Sequence, residues 1–177
     1  MSQQKEKAIS SRQIYKGKII NLRLDEVKLP NNQKTSREVV EHAQSVAIVA
    51  LDERKNVFLV RQYRYPGQKE LLEIPAGILG EGEEPVQGAQ RELAEETGIK
   101  ARRWQYLFSI YSSPGFTDEQ IHLFYARDLQ FAGQCLDEDE FIKVIKVPLE
   151  QIPQMIKQGE ICDAKTIAGL LGAQLYA

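Results

Sequence analysis

An α/β layered domain preceded by an antiparallel β arm is the fold class this sequence predicts, and three observations predict it. From about residue 43 onward, β-rich runs and helical stretches interleave along the chain. The run Ser45-Val-Ala-Ile-Val-Ala-Leu51 is continuously apolar, as in a strand covered on both faces. Before it, β-branched and polar residues alternate on both sides of the turn-forming Pro30-Asn31-Asn32. The 177 residues, 20.2 kDa, suffice for one full-sized domain with a short structured extension, not for two ordinary domains. The predicted division is an arm over residues 1–42 and a main domain over 43–177.

The elements follow in order. In the arm, the segments 14–29 and 35–42 read as strands of a small antiparallel sheet. Residues 45–51 and 56–65 read as a central hairpin joined by the charged turn Asp52-Glu53-Arg54-Lys55. After a glycine-rich loop, a helix starts near Pro85, suited to a first helical position, and stops at Gly98, suited to the position just past a helix end. Segments 104–111, 120–127 and 141–147 read as further strands. A helix in 148–158 follows, then another from about Lys165, for which Asp163 in the string Asp163-Ala-Lys-Thr166 is a suitable cap.

Composition narrows the function classes. Lys plus Arg number 23 against 25 Asp plus Glu, so a net charge of -2 offers no bulk attraction for nucleic acid or an anionic membrane. Any phosphate must be met locally. The longest apolar run, Val46 to Leu51, is far too short to span a bilayer, and the first ten residues lack the apolar core of a signal peptide. Cys135 and Cys162 stand 27 positions apart with no metal-binding spacing around them, which fits a reducing, cytoplasmic setting.

The informative stretch runs from Gly77 to Ile99. On a helical wheel Val86, Ala89, Leu93 and Thr97 form one inward stripe. Glu92 and Glu96, four apart, border it side by side, with Glu95 further toward solvent. Like charges at that spacing destabilise a helix by about 0.2–0.5 kcal/mol per pair, so a cation should compensate them. Spacing alone leaves two compensations open: a solvated acidic face balanced by Arg91 or a neighbouring Lys, or a hard divalent ion such as magnesium bound through carboxylate oxygens.

Gly77, Glu83, Arg91, Glu92, Leu93, Glu95, Glu96, Gly98 and Ile99 occupy every position of the pattern G-x5-E-x7-R-E-U-x-E-E-x-G-U, with U aliphatic. In this the chain resembles the Nudix family. Seven fixed residue types would co-occur by chance somewhere in such a chain about once in a million sequences. The resemblance implies an α/β/α sandwich with a mixed β-sheet, and hydrolysis of a nucleoside diphosphate linked to another group. It also implies a loop-helix-loop site for Mg2+, with Mn2+ as a substitute. By motif position Glu92 and Glu96 are metal ligands, joined by the backbone carbonyl of Ala76, which precedes the first glycine of the motif. Glu95 counts with the catalytic residues, as a further ligand or a carboxylate behind the ligands. Arg91 and Glu83 support the site from behind, Arg91 by orienting the carboxylates.

The strings VRQYRYP before the motif, EIPAG leading into it, SPGFTDE with Pro114 16 positions past Gly98, and LDEDEF resemble the ADP-ribose pyrophosphatase branch of that family. This implies hydrolysis of ADP-ribose to AMP and ribose 5-phosphate. Arg64 is the first candidate for the diphosphate, because a planar guanidinium grips phosphate oxygens in bidentate fashion. The turn Ser113-Pro114-Gly115 is assigned to substrate binding. Members of the branch are homodimers whose N-terminal sheet helps form the partner's adenine pocket, so Arg37 and Glu38 of the arm are candidate substrate contacts, with the swap of the arm left open. The acidic run Asp137-Glu-Asp-Glu140 is suited to a loop closing over the diphosphate, with Glu138 as general base and Glu140 as a metal ligand when substrate is bound.

Three other functions compete. Hydrolysis of another nucleoside diphosphate sugar, such as GDP-mannose or ADP-glucose, would use the same motif. A non-catalytic ADP-ribose sensor would be expected to carry a damaged glutamate motif, whereas all the glutamates here are intact. A nucleic-acid-binding regulator would need a basic or helix-turn-helix region that the composition does not support.

Overall fold

The structure, a computed structural model, describes residues 4–131, 133 and 141–176. Its chain forms two units, one of residues 1–43 and 111–120, the other of 44–110 and 121–177. The first holds a three-stranded antiparallel sheet of β1 (Lys7–Lys16), β2 (Ile20–Lys28) and β3 (Lys34–His42), in that order. The β2–β3 turn falls at Pro30-Asn31-Asn32, where Asn32 adopts φ 68, a conformation asparagine tolerates. The segment 14–29, expected as one strand, breaks at residues 17–19: its start ends β1, which extends the sheet back to Lys7, and the rest forms β2. Every residue of β1 is exposed, so it carries none of the buried alternation by which a strand is legible. In the same unit, residues 111–120 lie along β3: Val40 N–H donates to Phe116 O (2.8 Å) and His42 N–H to Asp118 Oδ1 (2.9 Å).

The second unit is built on a seven-stranded mixed sheet. β4 (Ser45–Leu51) runs parallel to β9 (Gln120–Phe131) and antiparallel to β5 (Asn56–Arg64), giving the order β10–β5–β4–β9–β8. Here β8 is Ile99–Tyr111 and β10 is Lys143–Pro148. β6 (Lys69–Glu73) pairs with β5, and β7 (Ala76–Ile78) with β4. These two short strands fall in the stretch that reads as a loop; at five and three residues they are too short to show a periodic pattern.

All seven residues of β4 are buried, and their alternation divides the core. Ala47, Val49 and Leu51 join Val57, Leu59, Leu123 and Tyr125 on one face, covered by Ile152 of α2 (Ile152–Lys157) and Leu170 and Ala173 of α3 (Ala164–Ala173). Val46, Ile48 and Ala50 join Phe58 and Phe124 on the other, covered by Ala89 and Leu93 of α1 (Pro85–Thr97). This is the expected α/β/α sandwich. No helix among the described residues is long and apolar enough to cross a membrane.

Candidate active site

Helix α1 begins at Pro85 because a residue without an N–H costs nothing in the first turn, and ends where Gly98 takes φ 67 and donates its N–H to Ala94 O (2.9 Å). Its buried face comprises Gly88, Ala89, Glu92, Leu93, Glu96 and Thr97. Val86, expected on the inward stripe, is instead exposed. It sits in the first turn, and the residues that pack on the sheet from α1 start at Ala89.

Two of the buried residues are carboxylates, and short strand β7 receives both. Ala76 N–H donates to Glu96 Oε2 (3.1 Å). The Glu92 carboxyl group lies over Gly77, where a Cβ would collide with its Cδ and both oxygens. Any other residue at position 77 would evict that carboxylate, which is the local reason for glycine. Leu93 between them is fully buried and anchors the helix.

Arg91 gathers the remaining acids. Its Nε donates to Glu83 Oε1 (3.0 Å) and Nη2 to Glu83 Oε2 (2.9 Å), while Nη1 reaches Glu92 Oε1 (2.6 Å) and Glu95 Oε2 (3.0 Å). Nη2 also donates to Ile78 O (3.1 Å), tying the helix to the end of β7. The hydrogen bonds from Arg91, aided by Gly80 N–H (2.8 Å), hold the Glu83 carboxyl down at about 2. The same bonds raise the Arg91 pKa above its ordinary value. One guanidinium thus faces three carboxyl groups, with Glu96 adding a fourth beside them.

The chemistry of the donor set suits a hard divalent cation: two buried carboxylates, Glu92 and Glu96, are both held against β7, and the motif adds the Ala76 carbonyl as a third candidate oxygen. Among the described residues no three His, Cys, Asp or Glu side chains already converge on one coordination point. Glu138 and Glu140 lie outside the described residues.

Arg64, at the end of β5, places Nε and Nη2 on Glu73 Oε1 and Oε2, each at 2.8 Å. Its charge also acts on Glu96, and these interactions, led by the Glu73 hydrogen bonds, raise its pKa despite burial. Arg37 forms a similar fork on Glu6, with Nε to Oε2 at 3.1 Å and Nη2 to Oε1 at 2.6 Å. Glu38 is exposed on the same strand, opposite Leu24. Ser113, Pro114 and Gly115 form a turn closed by Phe116 and Thr117 N–H groups donating to Ser113 O, both at 3.1 Å. Arg37, Glu38 and this turn belong to the first unit; the motif glutamates, Arg91, Ala76 and Arg64 belong to the second.

Sequence reasoning passes over Glu73 and Lys165. Glu73 is almost wholly buried and bonds both Arg64 and Lys165. The signal was a glutamate at the end of a hydrophobic run, in EIPAG, where only a buried cation could keep it charged.

Comparison with known proteins agrees with this geometry. The NUDIX domain family matches residues 41–170, and the nucleoside diphosphate sugar hydrolase N-terminal domain matches residues 6–40. The chain is 41% identical over 177 residues to the ADP-ribose pyrophosphatase of Bacillus subtilis (strain 168), covering 99% of this chain and 96% of that protein. It is 42% identical over 172 residues to the methanol dehydrogenase activator of Bacillus methanolicus, covering 96% and 93%. A GDP-mannose pyrophosphatase of Cronobacter sakazakii is 36% identical over 149 residues, 78% of each chain. A crystal structure of an ADP compounds hydrolase superposes with a TM-score of 0.89 at 20% identity, covering 99% and 96% of the two chains, and so shares the fold. With its glutamate motif complete and assembled on α1 and β7, the chain belongs to the Nudix family of hydrolases.

Proposed function

We propose that the protein cleaves the diphosphate of ADP-ribose with water, giving AMP and ribose 5-phosphate, with Mg2+ as the cofactor and Mn2+ as a substitute. The observation that carries this reading is an intact carboxylate cluster on α1 and β7 in a chain similar over nearly its full length to a protein named ADP-ribose pyrophosphatase.

A bound divalent cation supplies charge neutralisation at the phosphate oxygens and acidifies water. Glu92, Glu96 and the Ala76 carbonyl are the groups to hold it, with Glu140 joining when substrate is present. Arg91 orients Glu92 and Glu95 and is itself seated by Glu83. Glu95, half-exposed, stands at the solvent side of the cluster, where it meets a ligand or a water. Arg64 keeps one guanidinium edge on Glu73 and is the candidate contact for the diphosphate; Arg37, Glu38 and the Ser113-Pro114-Gly115 turn are separate candidate substrate contacts. Glu138 takes the proton from water as its oxygen bonds to phosphorus and the bridging P–O bond breaks. A carboxylate is ionised at neutral pH without special tuning. Glu138→Gln should lower kcat by about 10^2-fold or more, as expected for a lost general base, and unchanged turnover would move that role elsewhere.

A second reading, hydrolysis of another nucleoside diphosphate sugar such as GDP-mannose or ADP-glucose, is favoured by the similarity to a GDP-mannose pyrophosphatase. A panel of ADP-ribose, ADP-glucose, GDP-mannose, NADH, diadenosine polyphosphates and 8-oxo-dGTP, assayed with Mg2+ and analysed for products, separates the two; preference for 8-oxo-dGTP would overturn both. The protein is further proposed to act as a cytoplasmic homodimer. In support, Cys162 is a free, exposed thiol, and the N-terminal sheet leaves Ile9, Ile14, Tyr15, Ile19 and Ile20 exposed. A monomer mass in sedimentation equilibrium would overturn the dimer.

A further inference from the structure

Four consecutive residues leading into the glutamate motif are each held from another element of the fold. The buried Glu73 carboxylate is bonded by Arg64 of β5 and by Lys165 of α3. Ile74 N–H donates to the fully buried Thr166 hydroxyl (3.0 Å). Pro75 O accepts from Ile48 N–H of β4 (2.8 Å), and Ala76 N–H is bound by Glu96 of α1 (3.1 Å). Two of these five ties come from the first turn of α3. There Asp163 caps the helix through Thr166 N–H (3.0 Å), accepts a hydrogen bond from the Thr166 hydroxyl (2.5 Å), and accepts from Lys165 Nζ (3.0 Å). The Thr166 hydroxyl therefore donates to Asp163 and accepts from Ile74, which fixes its orientation.

The charges explain why a lysine is placed there. Burial pushes the Glu73 carboxyl up, but the Arg64 hydrogen bonds and the Lys165 charge more than offset it and hold the pKa below the ordinary value. A carboxylate shared between two cations neutralises neither. Lys165, bonded to Asp163 as well, takes part of the Glu73 charge, and the Arg64 charge acts on Glu96 too. Without Lys165, Arg64 would be the only cation bonded to Glu73 among the described residues, and more of its charge would be cancelled there.

We infer that Lys165, acting through Glu73, is a positioning residue that keeps Arg64 aimed at the substrate diphosphate, with the Asp163–Thr166 turn holding Lys165 and Ile74 in register. This rests on the proposed function, in which Arg64 meets the diphosphate. The role goes beyond capping: a cap alone needs Asp163 and has no use for a lysine turned onto a buried carboxylate of another element.

The test is steady-state kinetics of the full chain on ADP-ribose with saturating Mg2+, for K165M and K165R, together with the Nε–Hε NMR resonance of Arg64. Lys165→Met should raise KM about tenfold with kcat within about twofold, a factor worth about 1.4 kcal/mol in binding, and Lys165→Arg should recover most of it. The Arg64 resonance should shift in K165M and return in K165R. A lowered melting temperature with KM unchanged, or no rescue by arginine, would overturn the inference. Glu73→Gln, which leaves two cations without their buried partner, can fail to fold; the lysine pair keeps the question decidable. If the wild-type protein ignores ADP-ribose but cleaves another nucleotide sugar, the proposed function fails and KM is read on that substrate. If it cleaves none, the Arg64 resonance decides, and its indifference to K165M refutes the positioning role.

Discussion

The carboxyl group of Glu92 occupies the space into which a side chain at Gly77 would project. A helix and a strand thus meet with only a hydrogen between a candidate metal ligand and the main chain. Gly77→Ala should displace Glu92 and weaken divalent-ion affinity about 10- to 100-fold, the range seen when groups that orient ligands are altered. Titrating activity and ion binding against Mg2+ checks this, and a wild-type ion response would show that Glu92 does not depend on the glycine.

Glu96 differs from Glu92 in taking a main-chain N–H from Ala76. In Glu96→Gln the amide oxygen can still accept that bond, so the fold should persist while activity and magnesium dependence fall together. A folded variant with a normal magnesium response would contradict the ligand assignment.

Glu83 carries a pH signature. Its carboxyl lies at about 2 in the folded protein against an ordinary 4.5, because Arg91 and Gly80 N–H bond the charged form. The folded pKa is depressed, so its contribution to stability is complete above about pH 4.5 and is lost as pH falls toward 2. The stability gap between wild type and Glu83→Gln, measured by urea unfolding, should be constant at neutral pH and shrink on acidification below 4.5. A gap that widens in acid would refute the pairing.

Leu93, which lies in sequence between the candidate ligands Glu92 and Glu96, is fully buried. Leu93→Ala should cost about 2–5 kcal/mol of stability, from lost transfer energy and the cavity left behind. Calorimetry or urea unfolding reads this directly, and a loss below that of an exposed α1 site such as Val86→Ala would argue against the packing described.

What was legible in the sequence is what neighbouring residues dictate. Pro85 and Gly98 bound α1 in both reading and structure because they act on their own φ and on the adjacent hydrogen bonds. Glu92 and Glu96 share a face because helical geometry puts positions four apart together. The seven apolar residues of β4 announce a central strand because both faces need cover. Val86 escapes the stripe because a wheel gives an angle but not where along the helix the sheet ends.

The sequence by itself therefore determined the family, the helix that carries the carboxylates, and the chemistry those carboxylates can support. Only the tertiary structure decided that Gly77 makes room for Glu92, that Arg91 serves three acids at once, and that Glu73 joins Arg64 to a lysine 92 positions further on. The physical reason is range: dihedral preference and helical period act over a turn or two. A buried charge finds its partners through the packing of elements that no local pattern encodes.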